Sequence, residues 1–250
     1  DGRIFTMHLR KGHKWSDGQP FTSEDFRYFW EDVANNKDIS PAGPPADLLN
    51  DGEAPKVEIV DATTVRYTWS KPNPRFLAVL AQATEPYIYR PAHYLKKFHA
   101  RYADAATLAG LVATAKASSW AQLHNRMDSL DKNDNPDMPT LQPWVARTAM
   151  PANRFTFRRN PYFHRVDTAG NQLPYIDGID VLIADAGLIP AKTAAGEADL
   201  QARGINFADI TSLKANEGKG NYRVLTWPIA KGSHIALFPN LNAADPFTPA

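Results

Sequence analysis

The chain contains no cysteine. That excludes a disulfide framework, thiolate metal ligation and a cysteine nucleophile. No apolar run approaches the ~20 residues that cross a bilayer as a helix. The opening residues, DGRIFTMHLRKG, lack the pattern of a signal peptide. An excess of one charge is missing too. Lys+Arg number 28 against 27 for Asp+Glu, a net charge of +1, which leaves no electrostatic footprint for nucleic acid. The one tight basic cluster, Lys96 and Lys97 with Arg90 and Arg101, reads as a solvated helix face.

Catalytic signatures are equally scarce. Seven histidines are present, but His8 and His13, or His93 and His99, do not have metal-ligand spacing, and no HExxH element accompanies them. There is no G-x-S-x-G elbow for a serine nucleophile. Gly218, Gly220 and Gly232 open no P-loop. The neighbouring carboxylates Glu24 and Asp25 fall in a helix first turn, where the helix dipole accounts for them without chemistry. Glu197 and Asp199 form a second close pair. Neither a catalytic constellation nor a tightly bound metal or cofactor is therefore expected.

What is present is an ordinary globular composition: 250 residues, 43% hydrophobic and 22% charged, enough for one large domain or two lobes. The chain begins in an alternating strand, with Phe5, Met7 and Leu9 on one face, so it is expected to be part of a longer protein. After a turn-rich KGHKWSDGQP, Thr22 or Ser23 caps a helix to about Asn35, with Phe26, Phe29, Trp30 and Val33 as its core stripe. A Pro/Gly-rich loop leads to a hairpin over 56–60 and 64–69. Helices follow from Pro74, over 91–98, and over 103–130 with a break at 116–119. DKNDNPDMP marks a boundary, and two lobes are expected to meet near 131–140. Beyond it the pattern predicts strands at 154–158, 178–183, 200–203, 222–227 and 234–238, with helices at 189–197 and 207–215.

Two stretches carry a specific resemblance. HLRKGHKWSDGQPFTSEDFRYFWE (residues 8–31) resembles the strand–turn–helix signature of family 5 solute-binding proteins (the peptide/nickel type), through Leu9, Arg10, Trp15, Ser16, Asp17, Gly18, Pro20, Thr22, Asp25 and Trp30. Physically it reads as a structural corner: Asp17-Gly18 turns the chain, Trp15 anchors it in the core, and Thr22 caps the helix. RRNPYFHRVDTAGNQLPYIDGIDVLI (158–183) and AAGEADLQARGI (194–205) resemble two later segments of that family, with His164 where the family usually has Trp. TVRYTWSKPNPRFLAVLA and LFPNLNAADPF continue the match in order along nearly the whole chain.

The resemblance implies a mixed α/β, type II periplasmic-binding-protein-like fold whose two lobes close around a ligand without chemistry. Residues 1–138 would be the extra domain of the first lobe, and 139–250 part of that lobe, ending at the hinge to a second lobe. Pocket residues carried over by position are Gln201, Ala202, Arg203 and Gly204, then Ser233, His234, Phe238 and Asn240. The two groups are expected side by side on an open concave face with exposed apolar area. Ala202 and Arg203 replace the aromatic and amide frequent in peptide binders. A surface ion pair is the alternative role for Arg203, and a strand-closing turn that for Asn240. The implied function is solute capture for a bacterial ABC importer. Its ligand would be an oligopeptide or an oligosaccharide- or opine-like solute, its partner the membrane permease, and its location periplasmic or extracytoplasmic, as a monomer. Alternatives are a nickel or metal-chelate binder of the same family, and an unrelated hydrolase with a cryptic site.

Overall fold

The computed structural model describes residues 1–82, 88–128, 135–228 and 237. The chain divides into two compact units, Asp1–Ile183 and Ala184–Ala250.

The first unit is built on a three-stranded antiparallel sheet in the order β1-β3-β2, from Ile4–His8, Lys56–Asp61 and Thr64–Thr68. Register lines up Phe5, Tyr67 and Val57 across the sheet, and Met7, Val65 and Ile59 beside them. Period-2 alternation thus gives the sheet one apolar face. On it sit α1 (Ser23–Arg27) and α2 (Phe76–Leu80). Phe76 packs against Phe5, Tyr67 and Trp69 at ring-centroid separations of 5.1, 5.2 and 4.8 Å. The Trp69 indole N–H donates to the Leu48 carbonyl at 3.3 Å, which ties the Pro/Gly-rich loop to this core.

Thr22 closes a capping box with Asp25 at the start of α1. The helix then widens, so that Tyr28–Ala34 is π-helical. Phe26, Phe29 and Val33 are buried as the stripe predicts, while Trp30 is only half-buried. Tyr28 and Asp32, outside the stripe, are buried as well. Next come α3 (Ala92–Leu95) with a 3-10 turn over Lys96–Phe98, α4 (Ala105–Thr114) and α5 (Trp120–Met127). The expected break falls where Lys116 takes a left-handed φ of 52° and Ser119 caps α5.

A second antiparallel sheet, in the order β4-β5-β6, comprises Trp144–Ala146, Arg154–Arg159 and Gly178–Leu182. The short β4 was not predicted. Asn160, fully buried, holds the chain beyond β5: its backbone N–H donates to Pro143, its side-chain amide to Gln142, and its Oδ1 accepts from Tyr162. The following loop closes on Asp167, whose carboxylate accepts from the backbone of Ala169 and Asn171 and from Tyr175 Oη at 2.6 Å.

The second unit contains α6 (Ile189–Ala194), α7 (Ile210–Ala215) and α8 (Glu217–Gly220). Two expected strands are corrected here: 200–203 and 222–227 are irregular. A strand exists only where another strand completes its ladder, and among the described residues neither segment pairs. Instead Tyr222 Oη donates to the Leu213 carbonyl at 2.6 Å, and the Val224 N–H to Glu217. These contacts dock the chain after α8 as a tail. Of the expected strand at 234–238, only Leu237 is described, and it is exposed.

Candidate functional site

The sequence points to residues 201–204, and the second unit presents them as a loop after α6. Gly196, in the left-handed region at φ 76°, ends that helix, where its N–H donates to Thr193 O and that of Glu197 to Lys192 O. The Gln201 side-chain amide then donates to the Arg203 carbonyl, curling the loop on itself. Gly204 has φ 68°, and a Cβ there would stand 2.5 Å from Ile189 Cδ1. The positive φ favours glycine here, and a larger residue would also have to displace Ile189 from the first turn of α6. Beyond it Asn206 and Asp209 form a capping box that starts the next helical turn.

The side chains of this loop are available to solvent. Ala202 and Arg203 are exposed and Gln201 is half-buried. Among the described residues no ion pair engages Arg203, so the surface ion-pair role has no carboxylate to support it. Large apolar side chains of the same unit are also bare: Leu200 is 87% exposed, Phe207 82% and Trp227 77%. Ser233, His234, Phe238 and Asn240 lie outside the described residues, as does their expected juxtaposition with 201–204.

In the first unit, the WSDG corner forms as expected. Trp15 is 1% exposed. The Gly18 N–H donates to the Trp15 carbonyl at 2.9 Å, with Gly18 at φ 87°. Asp25, however, is more than a carboxylate at a helix start. It is buried and accepts from the Trp15 indole (3.2 Å), the Thr22 N–H (2.9 Å) and the Ala92 N–H (3.1 Å). Burial pushes its pKa up, and these donors act against that rise. The sequence signal was the apolar company of Asp25, between Trp15 and Phe26.

The basic cluster is also corrected. Arg90 pairs with Asp128 at 2.6 Å, Lys96 with Glu24 at 2.7 Å and Arg101 with Asp32 at 2.8 Å, while Lys97 lies 3.8 Å from the Tyr94 ring centre. Arg90, Lys96 and Arg101 are thus neutralised where the fold brings distant carboxylates to them, which no local pattern reveals. Asp32, buried on the π-helical segment, also accepts from Tyr102 Oη at 2.6 Å and from Arg27 at 3.0 Å. Burial raises its pKa, but the Tyr102 and Arg101 hydrogen bonds and the Arg27 charge outweigh it, and the net shift is downward. A carboxylate so occupied is a structural hub. It borders an open cavity of about 420 Å³ together with His99 and Trp120. Among the described residues, no group of three or more His, Asp or Glu side chains could hold a metal ion, and no helix is long and apolar enough to cross a membrane.

Comparison with known proteins accounts for this architecture. A family model described as "Bacterial extracellular solute-binding proteins, family 5 Middle" matches residues 1–248. The periplasmic alpha-galactoside-binding protein of Rhizobium meliloti (strain 1021) is 31% identical over 87% of the chain and 29% of its own length. The periplasmic oligopeptide-binding protein OppA of Escherichia coli (strain K12) is 28% identical over 70% of the chain and 29% of its own. A solved oligopeptide-binding protein OppA superposes with a TM-score of 0.79 at 37% identity, covering 90% of this chain and 35% of that one. The periplasmic binding protein MelB from Agrobacterium fabrum C58, solved in complex with stachyose, gives 0.65 at 28% identity, covering 85% and 29%. The chain thus spans about a third or less of the length of these relatives.

Proposed function

The chain belongs to family 5 of the bacterial extracellular solute-binding proteins, and from that membership we propose that it supplies part of the ligand-capture component of an ABC importer. The observation that carries this reading is the length of the match, which runs from residue 1 to residue 248. In this reading the whole protein works in the periplasmic or extracytoplasmic space, as a monomer. It closes two lobes on a solute and presents the closed form to a membrane permease. Binding selects the closed state, and no bond is made or broken. Residues 1–138, with the first sheet, form the extra domain, and 139–250 contribute to the first lobe. Residues 201–204 line the cleft, joined by Ser233, His234, Phe238 and Asn240.

The ligand is an oligosaccharide in the first instance and an oligopeptide in the second. Three observations support that order. A relative matched over most of the chain is named for α-galactosides. Arg203 and Gln201 offer planar hydrogen-bonding groups, and the second unit carries exposed Phe207 and Trp227, the two kinds of group a sugar site combines. Ala202, by contrast, offers a peptide nothing beyond its backbone. The test is mass spectrometry of small molecules copurifying with the full-length protein, followed by calorimetry with stachyose and with a mixed peptide pool. A copurifying oligosaccharide that binds again is the expected result. Peptides alone would reverse the order, and a metal chelate or substrate turnover would overturn the reading.

A further inference from the structure

A second candidate site lies in the first unit. The cavity, of about 280 Å³, is lined by Arg10, Lys11, His13, Lys14, Tyr162 and His164. One wall is the turn that precedes the WSDG corner. There the His13 N–H donates to the Arg10 carbonyl, Gly12 takes φ 81°, and the Phe21 N–H donates back to the His13 carbonyl. The other wall is held by Asn160, which accepts from Tyr162, and by Gln172, whose amide donates to the carbonyls of Pro161 and Phe163. Arg10 reaches across to the His164 carbonyl at 3.4 Å, and the rings of His13 and His164 stand 5.0 Å apart. Structural hydrogen bonds therefore fix both walls.

The charge on this cavity is one-sided. No Asp or Glu lines it, and among the described residues no ion pair engages Arg10, Lys11 or Lys14. His13 Nε2 and His164 Nδ1 are both buried without a hydrogen-bond partner. Burial comes first in holding both imidazoles below their ordinary pKa. For His13 the neighbouring His164 and Arg10 add to it, and for His164 Arg165 and Arg10 do so. Like charges gathered in one place cost free energy, and a bound anion offsets that cost. A cation would meet repulsion here. At roughly 30 Å³ per water, the cavity holds several waters and has room for a tetrahedral oxyanion.

We propose that the cavity between residues 10–14 and 162–164 is an oxyanion site that takes a phosphate group, with Arg10 and Lys14 as its charged ligands and the His13–His164 pair as its floor. The group could be free inorganic phosphate or a phospholipid headgroup, and the experiment separates the two. Inorganic phosphate is titrated into the full-length protein at constant ionic strength, with chloride as control. Binding is read by calorimetry and by the imidazole resonances of His13 and His164. Phosphate should bind saturably and move both resonances; Arg10→Gln should weaken it at least tenfold, and Arg10→Lys should recover part of the loss. Vesicles of phosphatidylcholine with phosphatidylglycerol form the second arm. Sedimentation with them that is lost in Arg10→Gln assigns the headgroup, and its absence beside phosphate binding assigns the free ion. The proposal is overturned if chloride reproduces the phosphate response, or if Arg10→Gln changes neither arm.

Discussion

The indole N–H of Trp15 donates to Oδ2 of Asp25 at 3.2 Å, and the same oxygen accepts the Thr22 N–H at 2.9 Å, so one buried carboxylate joins the corner to the helix it introduces. Trp15→Ala removes a large buried side chain and one of the three donors, and should cost about 3–5 kcal/mol. Asp25→Asn keeps the shape but loses charge-assisted acceptance, and should cost about 1–3 kcal/mol. Urea unfolding of both variants checks this. A Trp15→Ala protein as stable as the parent would contradict the corner's structural role.

A pH dependence follows from His124, which is buried and paired with Tyr28 Oη at 2.7 Å. Burial first, then the charges of His99 and Arg90, lower its pKa from 6.5 to about 3. A histidine kept neutral in the fold stabilises fully above its unfolded pKa, and that contribution is lost as pH falls from 6.5 toward 3. The slope is at most about 1.4 kcal/mol per pH unit for one proton. Urea midpoints at pH 7 and pH 4.5 should therefore differ more for the parent than for His124→Gln. Equal differences would remove His124 as the titrating group.

Asp32 gathers Arg27, from its own helical run, and the adjacent Arg101 and Tyr102, about 70 residues further along the chain. Asp32→Ala leaves the part-buried Arg27 without one of its acceptors and should destabilise by about 2–4 kcal/mol. Arg101→Ala, on the exposed side of the same network, should cost well under half as much. Thermal melts of the two variants, read side by side, distinguish a hub from a set of surface pairs.

Gly204→Ala puts a Cβ at a positive φ and against Ile189. The strain should cost about 1–2 kcal/mol. Adding Ile189→Ala should relieve the clash but not the φ penalty, so the double variant recovers only in part. Full recovery would mean that the backbone conformation carries no cost.

Arg203→Ala in the full-length protein should weaken ligand binding by about 1–3 kcal/mol, the value of a charge-assisted hydrogen bond. Its melting temperature should stay the same, since among the described residues no ion pair engages Arg203. A variant with intact affinity would take Arg203 out of the cleft.

Much of the first unit was legible because its signals are local. Thr22 caps the helix that follows it, as its place before the apolar stripe predicts, and the hairpin alternates with period 2 until the irregularity between Ile59 and Asp61. What escaped was decided by partners distant in sequence. Asp25 and Asp32 look like helix-surface carboxylates until Ala92 and Arg101 arrive beside them. The segments at 200–203 and 222–227 have strand-like composition, but pairing makes a strand, and composition cannot supply a partner. The candidate site residues were named through family resemblance, because Gln201, Ala202 and Arg203 form no motif of their own.

The loop around Asp167 draws its side-chain and backbone contacts to that carboxylate from its own near neighbours. Its backbone donors, Ala169 and Asn171, and its capping hydroxyl, Tyr175, all lie within eight residues of the carboxylate they serve. Nothing in that arrangement waits for the core to assemble. The loop connects β5 to β6, whose antiparallel register runs from Arg154 opposite Leu182 to Arg158 opposite Gly178, so its short-range contacts reduce the entropy of bringing those strands together. Its conformation rests on Asp167, Gly170 at φ 86°, Asn171, Gln172 and Tyr175 together, so a change at any one of them is felt within the loop first.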